Sequence, residues 1–212
     1  MELSGRVAVE HESDYTCIMN PRLFIISGCN GAGKTTASFS LLPEVLNCRV
    51  FINADEIARE LCPQHVESVA FEAGRVMLEQ INEKIRGGET FEFETTLSAR
   101  SYRETILLAQ ALNYHVTLLF FWLESVEMAI ERVKKRVEEG GHNIENDVIK
   151  RRYTRGLKNL FEIYLPLVSD ALVIDGSTDE LEKIATSAWG QPVNILNSTK
   201  WEKLKKLSQK KK

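Results

Sequence analysis

The chain has 212 residues, of which 43% are apolar and 27% are charged, and its formal net charge is −3. This composition is typical of a globular domain with its own core, and it excludes a disordered or collagen-like chain. The small negative net charge also argues against a surface that attracts nucleic acid as a whole.

The spacing of the cysteines and the length of the apolar runs indicate which cellular compartment to expect for the protein. Four cysteines are present and none forms a Cys-x-x-Cys pair, which argues against a zinc site or a disulfide framework: Cys17, Cys29, Cys48 and Cys62. The N-terminus lacks a continuous apolar segment, and the longest apolar run, 116–123, is too short to span a bilayer. We therefore expect a soluble, cytoplasmic protein with no membrane contact.

The predicted elements alternate between strand and helix. Residues 1–20 are polar and predict an N-terminal extension, with one edge strand in RVAVEH. The remaining pattern predicts, in chain order, strand 22–27, helix 34–42, strand 49–53, helices 54–61 and 66–86, strand 90–94, helix 100–112, strand 115–123, helices 125–139 and 145–164, strand 171–174 and helix 179–189. The Lys-rich end, 200–212, predicts a surface helix that frays.

This alternation predicts an α/β fold: a mainly parallel five-stranded sheet with helices on both faces, forming a three-layer sandwich. No repeat or low-complexity linker divides the chain, so residues 21–197 are expected to form one domain. Residues 198–212 are expected to form a basic C-terminal tail. Because a basic tail is usually just solvated, a nucleic-acid partner is disfavoured.

The strongest motif is GCNGAGKT at residues 28–35, which matches G-x-x-x-x-G-K-[ST] between a predicted strand and a predicted helix. Its glycines let backbone N–H groups converge on phosphate oxygens, and the helix N-terminus adds partial positive charge. Lys34 is expected to bridge the β- and γ-phosphates and the Thr35 hydroxyl to bind Mg²⁺. The motif therefore predicts a P-loop NTPase that binds ATP through Gly28, Asn30, Gly31, Ala32, Gly33, Lys34, Thr35 and Thr36.

Carboxylates follow two of the predicted strands, at the edge of the sheet where ligands of open parallel sheets bind. Asp55 follows the second strand and is a candidate general base for a hydroxyl nucleophile. The alternative is that Asp55 caps the helix that follows it. Glu94 ends the third strand, where alternation places Glu92 and Glu94 on one face. Glu94 is a candidate ligand for substrate hydroxyls, and the alternative is an edge strand with solvated acids.

Two charged helices around Gly140 and Gly141 form a predicted arginine-rich flap over residues 125–160. Its arginines are Arg132, Arg136, Arg151, Arg152 and Arg155. Guanidinium groups offset the charge that builds up during phosphoryl transfer, and the Gly-Gly corner would let the flap move. The alternative is a solvated helix pair with glutamate–arginine bridges, because Glu131, Glu138 and Glu139 are also present.

Other signatures of P-loop proteins are missing from the sequence. No D-x-x-G follows an apolar strand, no N-K-x-D is present for guanine, and no apolar run ends in Asp-Glu. These absences favour a kinase over a GTPase switch or a motor.

The segments GCNGAGKTT, FINADEIA, FEFETTLS and RVEEGGHNIENDVIKRR, in this order, resemble the zeta toxin family of P-loop kinases over residues 21–175. The resemblance implies a kinase-like fold and phosphorylation of a sugar hydroxyl of a UDP-N-acetyl amino sugar, with ATP and Mg²⁺. It also implies an antitoxin protein as a partner. The chain is shorter than the classical toxins and lacks their extra substrate-binding segments, which leaves the acceptor open.

The resemblance assigns roles to residues of this chain. Lys34 and Thr35 would hold the triphosphate and Mg²⁺, and Asp55 would deprotonate the sugar hydroxyl. Arg136 and either Arg151 or Arg152 would neutralise phosphate charge, and Arg152 is our choice of the two. The remaining substrate-binding residues would be Glu94, Thr96 and Arg100.

Three functions remain open from the sequence. The first is a small-molecule hydroxyl kinase. The second is a kinase of nucleic-acid hydroxyls, for which the Lys-rich tail is the visible support. The third is a regulatory module that binds ATP without an acceptor substrate.

Overall fold

The computed structural model describes residues 20–40, 46, 48–178 and 180–209. Residues 1–19 of the predicted extension, with its edge strand, lie outside the described residues, as do residues 41 and 42 of the first predicted helix and the last three lysines. Within the described residues, seven strands form one sheet in the order β2-β3-β1-β4-β5-β6-β7. They are β1 Arg22–Gly28, β2 Phe51–Ile52, β3 Phe91–Thr95, β4 His115–Trp122, β5 Asp170–Asp175, β6 Glu182–Ala188 and β7 Asn194–Ile195.

Helices cover the sheet. In chain order they are α1 Lys34–Ser40, α2 Ala54–Leu61, α3 Ala70–Arg86, α4 Tyr102–Ala111, α5 Val126–Glu138, α6 Asn146–Asn159 and α7 Ser198–Ser208. A 3₁₀ turn, Val66–Val69, precedes α3, and a π-helical turn, Leu160–Tyr164, continues α6. None of the helices within the described ranges combines the length and apolar character needed to cross a bilayer.

The first five strands are parallel, and β1 lies at their centre. Its residues from Leu23 to Gly28 are all buried, because this apolar run packs against helices on both faces. Since Ser27 pairs with Thr95 on one side and Phe120 on the other, the carboxyl ends of β1, β3 and β4 meet at one edge. The predicted α/β class is confirmed, but the sheet has seven strands rather than five.

Strand β6 stands where a helix was predicted, at 179–189, and that prediction was wrong. β6 pairs antiparallel with β5, and β7 pairs antiparallel with β6. Of the apolar residues in this segment, Ile184 is buried, whereas Leu181 and Trp189 are exposed. The exposed edge of β5 offered a row of unpaired backbone groups, and pairing with it overrode the local pattern.

The C-terminal helix α7 is packed rather than solvated. Trp201 and Leu204 are buried, and the Trp201 ring lies 5.2 Å from that of Phe161. Lys200 Nζ lies 2.7 Å from Asp175 Oδ2 and 2.5 Å from Glu182 Oε2, which ties the helix to β5 and β6. The basic tail therefore forms a helix, as predicted, but through residue 208 it is docked on the domain.

Candidate active site

The P-loop lies between β1 and α1, and its glycines have backbone conformations that side chains disfavour. Gly28 has φ +141°, and a Cβ atom there would lie 2.2 Å from the Phe121 carbonyl oxygen. Gly31 has φ +78° and packs against α5, where a Cβ atom would lie 3.0 Å from Arg132 Cβ. Only glycine fits the first position without displacing β4. The loop thus has the compact backbone turn that cradles phosphate.

Lys34 begins α1 and is buried at the floor of this loop. Its ammonium donates to the Cys29 carbonyl at 2.9 Å and lies 3.4 Å from Glu94 Oε1. Cys29 is buried too, and burial raises the pKa of its thiol to about 11, although Lys34 opposes the shift. The Cys29 thiol is therefore protonated at neutral pH and serves as a small side chain that fits the loop.

Glu94 lies at the centre of a hydrogen-bond network beside the P-loop. Its Oε2 atom accepts from Thr35 Oγ1 at 2.6 Å and from Asn53 Nδ2 at 3.1 Å. Together with Lys34, these contacts join the ends of β2 and β3 to the start of α1. Hydroxyl and carboxylate oxygens are the donors that Mg²⁺ prefers, so Thr35 and Glu94 fit the metal expected at this motif. Glu94 is not a solvated acid on an edge strand, because β3 lies between β2 and β1.

Asp55 lies in the first turn of α2, but it does not cap that helix. Asn53 is the N-cap, and its Oδ1 atom accepts from the Asp55 backbone N–H at 2.7 Å. The Asp55 side chain is 44% exposed and faces the flap, with Oδ2 3.8 Å from His142 Nε2. It also acts on Arg152: burial lowers the pKa of that guanidinium, and the Asp55 carboxylate opposes the shift. The capping alternative for Asp55 is thus wrong.

The flap is formed by α5, the turn around Gly140 and Gly141, and α6. Arg152 of α6 extends toward the P-loop, with Nη1 3.5 Å from Asn30 Oδ1. Its neighbour Arg151 is exposed. The Arg136 guanidinium lies against the turn, with Nη2 3.4 Å from the His142 carbonyl oxygen. Across the described residues, neither Arg136 nor Arg152 forms an ion pair with a glutamate, contrary to the solvated-helix alternative.

Arg132 has a role that the sequence did not reveal. Its guanidinium donates to the carbonyls of Gly176 at 2.7 Å and Ser177 at 2.8 Å, and it lies 3.4 Å from the Gly31 carbonyl. It thereby ties the P-loop to the loop that follows β5. Nothing in the local sequence separates Arg132 from Arg136, one turn along the same helix, because their partners come from distant segments.

Two cavities lie beside this group. The nucleotide-side cavity, of about 420 Å³, is lined by P-loop and α1 residues, including Gly33 and Thr36, and by Arg132, Lys135, Arg136 and Gly176. The flap-side cavity, of about 900 Å³, is lined by Arg59, His65, Arg136, His142 and their neighbours. Arg136 lines both cavities, and its buried Nε atom has no hydrogen-bond partner among the described residues.

The other two predicted substrate ligands lie on the loop that follows β3. The Thr96 hydroxyl is 3.0 Å from the Ser98 hydroxyl. The Thr96 carbonyl packs against Gly156 of α6, where a Cβ atom would lie 2.6 Å away. Arg100 lines a third cavity, which shares none of its described lining residues with the other two.

Three residues of this group were not predicted: Asn53, Arg59 and His142. Asn53 carried a signal, because Asn directly before a predicted helix is a typical N-cap. His142 follows the Gly-Gly turn, which predicted a corner but gave no direction for the imidazole. Arg59 lies one turn after Asp55, and only the packing of the flap brings it to a cavity.

Comparison with known proteins agrees with this geometry. A match to the AAA domain family covers residues 23–158. The chain belongs to this family. This AAA domain is also 30% identical over 136 residues to an uncharacterized protein of Haemophilus influenzae (strain ATCC 51907 / DSM 11121 / KW20 / Rd). The aligned part covers 64% of this chain and 95% of that protein.

Solved structures with a similar fold include one that was determined with ATP. A chain of the AvrRxo1-ORF1:-ORF2 complex with ATP has a TM-score of 0.71 and 17% identity, over 91% of this chain and 66% of that chain. A chain of the PezAT chromosomal toxin–antitoxin system of the human pathogen Streptococcus pneumoniae has a TM-score of 0.61 and 19% identity, and the match covers 90% of this chain and 88% of that chain. A gluconokinase from Sinorhizobium meliloti 1021 has a TM-score of 0.50 and 14% identity, and the match covers 75% of this chain and 84% of that chain. These similarities show that this AAA domain has an α/β P-loop fold of the kinase type.

Proposed function

We propose that this AAA domain is an ATP-dependent kinase that transfers the γ-phosphate of ATP to a hydroxyl group of a small molecule. The observation that carries the proposal is the position of Arg136. Its guanidinium lies between the nucleotide-side and flap-side cavities, and its Nε atom is buried without a partner among the described residues. A buried, unpaired guanidinium N–H is costly, and a phosphoryl group passing between the cavities would satisfy it.

The nucleotide side of the mechanism rests on the P-loop. Its backbone N–H groups and Lys34 would hold the β- and γ-phosphates, and the base would extend into the cavity beside Arg132 and Gly176. The Mg²⁺ ion, when bound, would offset charge on these phosphates, with Thr35 and Glu94 as the nearby oxygen donors. Glu94 would also keep Thr35 and Lys34 in position through the contacts described above.

The transfer step assigns the proton to Asp55. The acceptor hydroxyl oxygen attacks the γ-phosphorus, the bond from this phosphorus to the β–γ bridging oxygen breaks, and ADP leaves. The hydroxyl proton passes to a carboxylate oxygen of Asp55. Arg136 and Arg152 offset the charge on the transferred group. His142 would be a neutral neighbour at pH 7, because burial lowers its pKa although Asp55 opposes the shift.

We propose a UDP-N-acetyl amino sugar as the first acceptor to test, with the flap-side cavity as its site. The cavity is large enough for a sugar nucleotide, and Arg59, His65 and Arg136 place positive or titratable groups around it. The resemblance to zeta toxins and the similarity to the PezAT toxin–antitoxin structure support this choice. A nucleic-acid acceptor is less well supported, since Lys200 and Lys203 of the basic helix are paired with carboxylates.

The experiment is transfer of label from γ-labelled ATP to purified acceptors and to a metabolite extract. Asp55→Asn should keep ATP affinity and lose transfer by about a hundredfold to ten-thousandfold, the usual contribution of a general base. Glu56→Gln is the matched control, because Glu56 is an acid in the same helical turn, and it should transfer normally. Full transfer by Asp55→Asn would remove Asp55 from the mechanism. ATP hydrolysis without any labelled acceptor would favour the regulatory module.

We also propose a protein partner, because two of the similar structures come from a two-protein complex and a toxin–antitoxin system. Co-expression with the product of an adjacent reading frame tests this. If this chain alone inhibits growth, restored growth and co-purification on co-expression would support the proposal. Normal growth with this chain alone, together with the absence of a co-purifying protein, would contradict it.

A further inference from the structure

The third cavity, which we name the basic cavity, lies outside the proposed active site. It has a volume of about 1010 Å³ and is lined on three sides by the loop after β3, by α6 and by α7. Its cationic lining residues are Arg100, Arg155, Lys158 and Lys205. None of its described lining residues belongs to the nucleotide-side or flap-side cavity, so neither of the sites proposed above includes it.

The charges of the basic cavity are poorly compensated within the protein. Among its described lining residues the one acid is Glu162, whose Oε1 atom lies 3.7 Å from Lys158 Nζ. Arg100, Arg155 and Lys205 have no carboxylate within ion-pair distance in the part of the chain that the structure describes. Other cations of α7 behave differently, since Lys200 is paired with Asp175 and Glu182, and Lys203 with Glu124. Three cations that line one cavity without acidic partners favour the binding of an anion there.

We propose that the basic cavity binds a small molecule that carries a diphosphate group. Two guanidinium groups offer planar pairs of N–H donors that match phosphate oxygens, and two ammonium groups add charge. The Ser98 hydroxyl adds a neutral hydrogen-bonding group to the wall. The ring of Phe161 provides an apolar wall, and the volume accommodates more than the phosphates alone.

The loop that forms one wall of the basic cavity directly follows β3, the strand that carries Glu94. Leu97 has φ +58°, an unfavourable conformation for leucine, and its backbone N–H donates to Thr95 Oγ1 at 3.1 Å. Asn159 Nδ2 holds the loop by donating to the carbonyls of Leu97 at 2.9 Å and Ser98 at 3.1 Å. An anion that contacts Ser98 and Arg100 would therefore act on the loop next to Glu94.

The diphosphate has two sources to distinguish. It is either part of the acceptor, which would then extend along this loop, or part of a separate molecule that changes the activity through the loop. The two sources predict the same binding chemistry in the basic cavity. The role in transfer rests on the proposed function, whereas the binding does not.

Calorimetric titration of inorganic diphosphate, without magnesium, tests the binding. Lys34→Ala supplies the background, because it weakens the competing P-loop site. This protein should still bind one diphosphate, and adding Arg100→Gln with Arg155→Gln should weaken that binding by at least about tenfold. All the substituted arginines are exposed, so thermal unfolding should be unchanged. The control pair, Arg75→Gln with Arg103→Gln, removes the same charge from arginines already paired with Glu72 and Glu104.

No diphosphate binding in the Lys34→Ala background would overturn the proposal, as would equal weakening by both arginine pairs. Transfer kinetics then identify the source. If the acceptor supplies the diphosphate, Arg100→Gln with Arg155→Gln should raise its KM by at least about tenfold and leave kcat nearly unchanged. If a separate molecule supplies the diphosphate, the two substitutions should leave the KM of the acceptor constant. Added diphosphate should then alter the transfer rate of the parent protein, in which Lys34 is intact, but not that of the Arg100→Gln, Arg155→Gln variant. Failure to find any transfer would leave the calorimetric result intact, so the two proposals fail separately.

Discussion

The P-loop and the flap face each other across the proposed active site, but their polar groups are satisfied to different degrees. In the P-loop, Lys34 has two short contacts and Thr35 is held by Glu94 at 2.6 Å. In the flap, Arg152 reaches Asn30 at 3.5 Å, and Arg136 has a buried Nε atom with no partner among the described residues. The P-loop is therefore preformed by its own contacts. The flap retains unused hydrogen-bonding capacity, which is typical of groups that bind a ligand.

The largest effect is expected when Arg136 of the flap is replaced. Arg136→Gln should lower kcat of the proposed transfer by about a thousandfold, in line with other arginines that stabilise transferred phosphoryl groups. Its free energy of unfolding should stay within about 1 kcal/mol of the parent protein, because it loses one long hydrogen bond to His142. Single-turnover transfer and urea unfolding measure the two quantities. A near-normal kcat would show that Arg136 does not contact the reacting phosphate.

Replacing Arg132 should have the next largest effect and provides a contrast with Arg136. Arg132 lies one turn from Arg136 but has three backbone carbonyls within hydrogen-bond distance. Arg132→Gln should lower the free energy of unfolding by about 3 kcal/mol, since it leaves carbonyls without their charged donor. Transfer should fall mainly through weaker ATP binding, because the P-loop loses its tie to the loop after β5. Urea unfolding and ATP titration of both arginine variants provide the contrast. Equal stability of the two variants would refute the distinct roles.

Local signals explain what the sequence predicted correctly. The P-loop was recognised because its glycine spacing, the buried strand before it and the helix after it all lie within residues 22–42. Asp55 and Glu94 were placed at the correct edge because parallel strands bring their carboxyl ends together. Predictions of this kind need the order of the elements but no knowledge of which distant side chains meet.

The missed features all depend on contacts between distant segments. Strand β6 was predicted as a helix because the local sequence does not show that the segment pairs with β5. The separate roles of Arg132 and Arg136, and of Arg151 and Arg152, depend on where each helix face points. The basic cavity joins residues 98–100, 154–162 and 205–209, which no window of sequence places together.

The smallest expected effect concerns Glu92, which lies on the same face of β3 as Glu94 but lacks its partners. Glu92 is buried, and its Oε2 atom has no hydrogen-bond partner among the described residues. Burial, and secondly the charge of Glu94, raise the pKa of Glu92 to about 7. Since the folded protein then holds this proton more tightly than the unfolded chain, Glu92 contributes stability below about pH 4.5 that is lost as the pH rises through 7.

Glu92→Gln should remove this loss, because the amide stays neutral at every pH. Between pH 5 and pH 8 the variant should gain about 2 kcal/mol of unfolding free energy relative to the parent, allowing about 1.4 kcal/mol for each pH unit and a discount for partial hydration. Urea unfolding at both pH values measures the difference, and Glu79→Gln on the surface of α3 is the control. A parent and variant with parallel pH profiles would mean that Glu92 is ionised in the folded protein. The contrast between Glu92 and Glu94 would then reside in the P-loop contacts alone.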